Sequence, residues 1–587
     1  MRQVASVVLV VLLVANLAIA QQAGTGATAT QGRSRKTPGE KVSEQLLQLQ
    51  KSIDAQQQQI QQLTQQLQNR DQQVEQLQQQ MNQVQGTANQ AQQKADSAEA
   101  QNTQQQQDVG AVHSEVTDLK STVSNTALAL QETQKTVNES PLALRVKGIT
   151  ITPGGFLAAE TVWRQRGLAS DINTPFNSIP LPGSSQSNLS EFFGSGRQSR
   201  VSLLAEGKLK DAKLTGYVEA DFLSAGVTSN NNESNSYSLR QRQAWGQAAL
   251  HGWSFTGGQM WSLVTETRKG VDNRSEALPM TIDPQYHVGF SWARQDGFRV
   301  AKDFGDKFWL AVSVENPQTT FAAHGNASNF LLGAPGTGGG LYNPTANYSF
   351  NSAPDIIAKA AFEPGWGHYE VFGLVSQFRD RVFPDGTAAT PSAAGAFNDS
   401  RTGGGIGANV RGSLLNKHVD VGLHFLGGEG IGRYGTAGLP DATVRPDGTL
   451  ALVRSYQTLG TLEWHSAKWD VYTNAGGEYA ARTAYVNSSG KGVGYGSPLF
   501  LNSGCSTETL PGSNGFTPGP LTDCTGDTRN IVQGTFGFWY RFYKGPKGTV
   551  QWGPQYSYVV RNTWSGIGGE PHGIENMFLT SFRYYLP

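Results

Sequence analysis

The stretch Val550-Gln551-Trp552-Gly553-Pro554-Gln555-Tyr556-Ser557-Tyr558-Val559-Val560-Arg561 alternates in character. Val550, Trp552, Pro554, Tyr556, Tyr558 and Val560 share one face, and Gln551, Gly553, Gln555, Ser557 and Arg561 share the other. A period of two is the pattern of a strand whose faces meet different surroundings. Upstream, Phe536, Phe538, Tyr540 and Phe542 alternate with Thr535, Gly537, Trp539 and Arg541. Downstream, Phe578, Thr580, Phe582, Tyr584 and Leu586 oppose Ser581 and Arg583. Far earlier, Leu214, Gly216, Val218, Ala220 and Phe222 oppose Thr215, Tyr217, Glu219 and Asp221. An apolar, aromatic-ended face backed by a polar one suits lipid outside and water inside, so the expected fold is an all-β transmembrane barrel. A soluble sandwich needs no strands this long, and no blade-length repeat supports a propeller.

Short and long connections alternate between these strands. Short turns are expected at Lys208–Lys213, His251–Gly252, Lys302–Lys307, Pro364–Gly367, Asn416–Lys417, Ser466–Ala467 and Lys544–Gly548. Long Gly/Asn/Ser/Thr/Pro stretches separate them, near 165–196, 223–236, 263–284, 317–353, 380–401, 429–451, 482–528 and 562–573. Seven short turns with one further strand at each end predict about 16 antiparallel strands, both chain ends on the periplasmic side, and a water-filled lumen.

Composition agrees. Lys+Arg and Asp+Glu are both 46, which removes the basic excess expected of a nucleic-acid binder. Charged residues are only 16% while the mean hydropathy is −0.40, a combination that excludes a helical membrane protein and fits a barrel. Cys505 and Cys524, the two cysteines, lie in one Gly/Ser/Pro/Thr-rich stretch and are expected to close a loop as a disulfide, with two idle thiols as the alternative. No His or further Cys lies beside them, which argues against zinc there; no metal and no cofactor is expected.

The N-terminal part differs. Met1 and Arg2 precede an apolar run from Val4 to Ala20 that ends in Ala18-Ile19-Ala20, which reads as a secretory signal peptide over residues 1–20. A flexible leader is expected over 21–45. From Leu46 a seven-residue frame holds to Val137, with Leu46, Ile53, Ile60, Leu67, Val74 and Met81 at successive first positions. That predicts an α-helical coiled coil over 46–140, placed in the periplasm, before a barrel over 148–587. A trimer is compatible with its mixed β-branched seam.

The segment Leu239-Arg240-Gln241-Arg242-Gln243-Ala244-Trp245-Gly246, followed by Gly257-Gly258-Gln259-Met260-Trp261-Ser262, resembles the paired-strand signature of DcaP-like porins. The sharp motif covers about 25 residues, and the architecture covers the mature chain. The resemblance implies a homotrimeric outer-membrane channel of a Gram-negative bacterium with an N-terminal coiled coil, passing small anionic, dicarboxylate-like solutes. Pro587 after Leu586 departs from the usual terminal aromatic.

Alternation places Arg240, Arg242, Arg299, Arg541, Arg561 and Arg583 on the lumen face, where guanidinium groups match carboxylate geometry. Arg240 and Arg242 are expected to share their face with small Ala244 and Gly246. The alternative for each arginine is a structural pair with a lumen acid such as Glu219 or Asp221. Residues 1–147 hold 12 of each charge sign, leaving the barrel 34 of each, so any anion preference requires segregation of sign rather than net charge. The stretch 263–284, with Arg268, Lys269 and Arg274, is equally compatible with an inward constriction and an external cap. Enzyme motifs such as GxSxG and HExxH are missing from the sequence, so no enzymatic activity is expected. The competing reading is an anchor: the barrel holds the chain in outer-membrane lipid while the coiled coil tethers the envelope, acts in adhesion, or binds peptidoglycan.

Overall fold

A strand in lipid must pair on both edges, because no water satisfies its backbone groups. The computed structural model meets that demand by closure. It describes residues 143–587 apart from 230, 231, 233, 327, 328, 334–347, 387–389 and 511–520, so the expected signal peptide, leader and coiled coil lie outside the described residues.

Sixteen long antiparallel strands form one closed barrel. They are β1 (Ile149–Arg164), β2 (Arg200–Leu209), β3 (Ala212–Asp221), β4 (Arg240–Leu250), β5 (Trp253–Trp261), β6 (Arg294–Asp303), β7 (Phe308–Glu315) and β8 (Asp355–Phe362). β9 (His368–Val382), β10 (Phe397–Leu414), β11 (Val419–Glu429), β12 (Arg454–His465), β13 (Trp469–Ala480), β14 (Thr528–Gly545), β15 (Gly548–Thr563) and β16 (His572–Tyr585) follow. The ladder closes where β1 pairs β16, from Phe156↔Tyr585 to Arg164↔Met577. No helix among the described residues is long and apolar enough to cross a membrane.

The seven short turns join β2–β3, β4–β5, β6–β7, β8–β9, β10–β11, β12–β13 and β14–β15. The tightest, His251–Gly252, has φ of 50° and 75°, the left-handed pair that a two-residue hairpin matching strand twist requires.

Facing follows the pleat. In β7, Leu310, Val312 and Val314 are exposed outside while Trp309, Ala311, Ser313 and Glu315 are buried inside. The exposed outer side chains, among them Leu157, Phe255, Phe298, Ile406, Leu423, Phe536 and Phe578, form the lipid-facing surface of such a barrel. The buried clusters therefore sit within the lumen, where long loops pack against the inner wall.

One local expectation is corrected. Glu219 pairs Gln243, but Ala220 pairs Gln241, so Arg242 is an extra residue in β4. This bulge shifts the alternation by one. Beyond it Gln243 and Trp245 face inward with Arg240 and Arg242, whereas the expected partners Ala244 and Gly246 face outward.

Candidate functional site

The connection from β5 to β6, residues 262–293, turns inward and crosses the lumen; the external-cap alternative does not hold. Its first half runs against β7–β11. Leu263 N donates to Glu315 Oε1 at 2.8 Å, Lys359 Nζ donates to Thr265 O at 2.7 Å, and Thr267 N donates to Glu370 Oε1 at 3.0 Å. Arg411 Nε meets Glu266 Oε1 at 2.7 Å. Leu263, Val264 and Val271 pack with Trp309, Phe372, Leu426 and Tyr434, filling that side of the lumen with an apolar cluster.

The second half spans to β12–β15. Asn474 Nδ2 donates to Met280 O at 2.7 Å, and Ile282 N donates to Gln555 Oε1 at 2.6 Å. Val288 N donates to Gln533 Oε1 at 2.8 Å, and Gly289 N to Glu478 Oε1 at 2.9 Å. Gly289 has φ of 92°, and a Cβ there would stand 1.9 Å from Thr458 O, so this close crossing requires glycine. Polar side chains spaced along the wall thus satisfy the backbone of a segment that has left its own ladder.

Two open cavities lie beside the bound loop. One, about 340 Å³, lies toward the long loops and is lined by Arg240, Arg294, Arg433, Trp292, Gln259 and Gln285 among others. No Asp or Glu lines it. The other, about 530 Å³, lies toward the short turns, with Arg200, Arg242 and Arg583 balanced by Glu219, Asp283 and Asp470. Arg242 donates to Tyr286 Oη of the crossing loop at 3.2 Å.

All six arginines singled out by alternation face inward, but they do different things. Arg240 is held by Asp221 through Nε at 2.9 Å and Nη2 at 2.8 Å, at the edge of the first cavity. Arg242 meets Glu219 at 2.6 Å and Asp221 at 2.8 Å and lines the second. Arg583 meets Glu160 at 2.9 Å and also lines the second. Arg299 holds the root of the crossing loop, donating to Asn273 Oδ1 at 3.1 Å and Trp261 O at 2.5 Å. Arg541 pairs Asp470 and donates to Ala467 O at 3.2 Å, stapling the β12–β13 turn. Arg561 donates to Ile179 O at 2.9 Å and Gly526 O at 3.1 Å, holding two long loops over the barrel. Cys505 and Cys524 are bonded within one of those loops.

Arg294 and Arg433 were not anticipated. Arg433 pairs Asp355. Arg294 lies over Trp261 and Trp292, its Cζ 4.9 Å and 5.1 Å from the ring centroids. Its buried Nη1 has no hydrogen-bond partner, and it forms no ion pair among the described residues. As the first residue of β6, Arg294 offered a clear sign in Trp292-Ala293-Arg294, an arginine two positions from an aromatic at a strand start. Arg433 belongs to a long loop, where no periodicity predicts facing.

No family model and no curated protein sequence matches the chain. Among solved structures, the outer-membrane channel DcaP of Acinetobacter baumannii matches at 16% identity and TM-score 0.51, covering 76% of this chain and 99% of that one. OmpT, an outer-membrane protein of Vibrio cholerae, matches at 11% identity and TM-score 0.39, covering 76% and 99%. Salmonella typhi OmpF, in complex with daunomycin, matches at 9% identity and TM-score 0.40, covering 76% and 100%. The first likeness shows that this barrel and the DcaP channel share a fold.

Proposed function

We propose that this chain is a diffusion channel of a bacterial outer membrane, passing small hydrophilic solutes with a preference for anions of the dicarboxylate class, and working as a homotrimer with its coiled coil in the periplasm. The observation that carries the solute preference is the arginine-lined cavity beside the crossing loop, with Arg240, Arg294 and Arg433 in its wall and no carboxylate. Two of the three are held at fixed positions by Asp221 and Asp355, and Arg294 retains donor capacity. Net charge cannot supply selectivity here; segregation of sign at a narrow, wet passage can. The fold shared with a solved outer-membrane channel supports the channel reading, and the resemblance around Arg240–Trp261 supports the trimer and the solute class. The protein lowers a barrier by offering a polar path and catalyses no bond change.

Planar-bilayer conductance of the purified full chain in a KCl gradient tests this. Stepwise openings whose reversal potential lies on the chloride side are expected, together with block of the current by succinate. A cation-side reversal potential overturns the anion preference, and no conductance from folded protein overturns the channel.

A further inference from the structure

At the short-turn end of the lumen, next to Asp470 in the wall of the second cavity, three potential metal ligands converge. Asp420 near the start of β11 and Glu463 near the end of β12 are direct partners in the ladder, and His465 lies two residues beyond Glu463 on the same face. One ligand atom from each lies within 4.8 Å of the others. Two carboxylates directly opposite across a strand pair repel each other, so the arrangement calls for a cation.

The contacts define the chemistry further. Glu463 is fully buried, and neither of its carboxylate oxygens has a hydrogen-bond partner among the described residues. Asp420 Oδ1 accepts from Ser413 Oγ at 2.6 Å, which leaves Oδ2 facing the cluster. His465 Nδ1 donates to Asp470 Oδ1 at 2.9 Å, and Asp470 is itself fixed by Arg541. That bond sets the imidazole so that Nε2 points at the acids, 3.5 Å from Glu463 Oε2 and 3.6 Å from Asp420 Oδ2. A carboxylate behind the far nitrogen is the usual support of a metal-bound histidine. The separations are long for hydrogen bonds, but they match ligands sharing one ion: tetrahedral bonds of about 2.1 Å set ligand atoms about 3.4 Å apart.

A competitor is also in place. Arg268 of the crossing loop stands 3.9 Å from Asp420 and 3.7 Å from Glu463, at distances too long for hydrogen bonds, with its side chain 42% exposed. Arg411, bound to Glu266, contributes a second positive charge to the surroundings of both acids.

We propose that Asp420, Glu463 and His465 form a divalent-cation site of the zinc class, open to the periplasmic side and occupied in competition with Arg268. One nitrogen and two oxygens suit Zn²⁺, with water completing the shell, and exclude the all-oxygen sets typical of Ca²⁺ and Mg²⁺. Because Arg268 belongs to the crossing loop, an ion here displaces one of the loop's charged anchors. The site does not depend on the transport reading.

The test uses the full chain in detergent, stripped with chelator and titrated with Co²⁺ and then Zn²⁺. One Co²⁺ per chain with the strong visible absorption of a tetrahedral site, displaced by Zn²⁺, is expected. Glu463→Gln and His465→Gln should each abolish that absorption while the protein still shows the heat-modifiable migration of a folded barrel. Arg268→Ala, which removes the competitor and leaves the ligands intact, should tighten binding roughly tenfold. Absence of saturable Co²⁺ binding overturns the proposal, as does binding that is equal in wild type and Glu463→Gln. An affinity unchanged by Arg268→Ala overturns the competition.

Discussion

Replacing Arg294 by alanine isolates the contribution of one guanidinium to solute selection. Arg294 is one of three cations in the wall of the cavity toward the long loops, and no acid there is left unbalanced by its removal. A unit charge about 5 Å from a guanidinium interacts by about 0.8 kcal/mol at the dielectric of water and about 3 kcal/mol at an effective constant of about 20. The cavity is open, so the lower figure applies, and physiological salt reduces it to about half over that distance. An anion loses about 0.4 kcal/mol of attraction and a cation loses the same repulsion, so the anion-to-cation permeability ratio should fall roughly fourfold. At low salt the fall should approach fifteenfold. The assay is the reversal potential of single channels in a KCl gradient, with Lys547→Ala in the exposed β14–β15 turn as the control and Arg294→Lys as the charge-preserving variant. A ratio that moves less than 1.5-fold in Arg294→Ala, or that falls equally in Lys547→Ala, refutes the reasoning.

Further outcomes are expected elsewhere. Glu370→Ala leaves fully buried Lys359 without its carboxylate partner at 2.9 Å and frees Thr267 of the crossing loop. It should cost roughly 3–5 kcal/mol in a denaturant titration and make the open current noisy; a quiet channel of native stability would show that the loop is held by its other contacts. Reducing Cys505–Cys524, which are 19 residues apart, removes about 3 kcal/mol of loop constraint. Protease should then cut the 481–527 loop faster while the barrel's thermal midpoint stays in place, and an equal drop in that midpoint would contradict a local role. In the long loops, burial pushes the His324 imidazole down, but the Asp527 carboxylate 2.8 Å from Nε2 outweighs it and raises the group above its ordinary value. A raised folded-state value means the His324–Asp527 clasp is fully present below about pH 6.5 and is lost as pH rises through the raised value. Protection of these loops from hydrogen exchange, taken relative to the intrinsic rate at each pH, should therefore fall as pH rises above about 6.5 in wild type and show no such fall in His324→Ala.

The strands were legible because their causes are local. Alternation in Val550–Arg561 or Leu214–Asp221 follows from a pleat that sends successive side chains to opposite faces, and that is enough to place Arg299, Arg561 and Arg583 inside. Gly252 marks the hairpin by its own backbone freedom, and His251 beside it takes a left-handed φ of 50°. Arg242 marks where local reading fails: a single inserted residue moves Gln243 and Trp245 inward, and its position depends on the neighbouring strand carrying Glu219 and Asp221. Facing alone also cannot distinguish an arginine that lines open space from one that fastens a loop, as Arg561 does, because its partners Ile179 and Gly526 are 382 and 35 positions away.

The sequence by itself determined the barrel, its approximate strand number and, outside the β4 bulge, which strand side chains turn inward, since each depends on short-range periodicity and turn chemistry. Tertiary structure alone decided that residues 262–293 cross the lumen, because the groups that hold them, Glu315, Glu370, Glu478, Gln533 and Gln555, are scattered over five strands. It also decided that Arg294 forms no ion pair among the described residues while Arg240 and Arg433 do, and that Asp420 meets Glu463 and His465. Closure of the sheet brings distant residues to one place, and no window of sequence contains that juxtaposition.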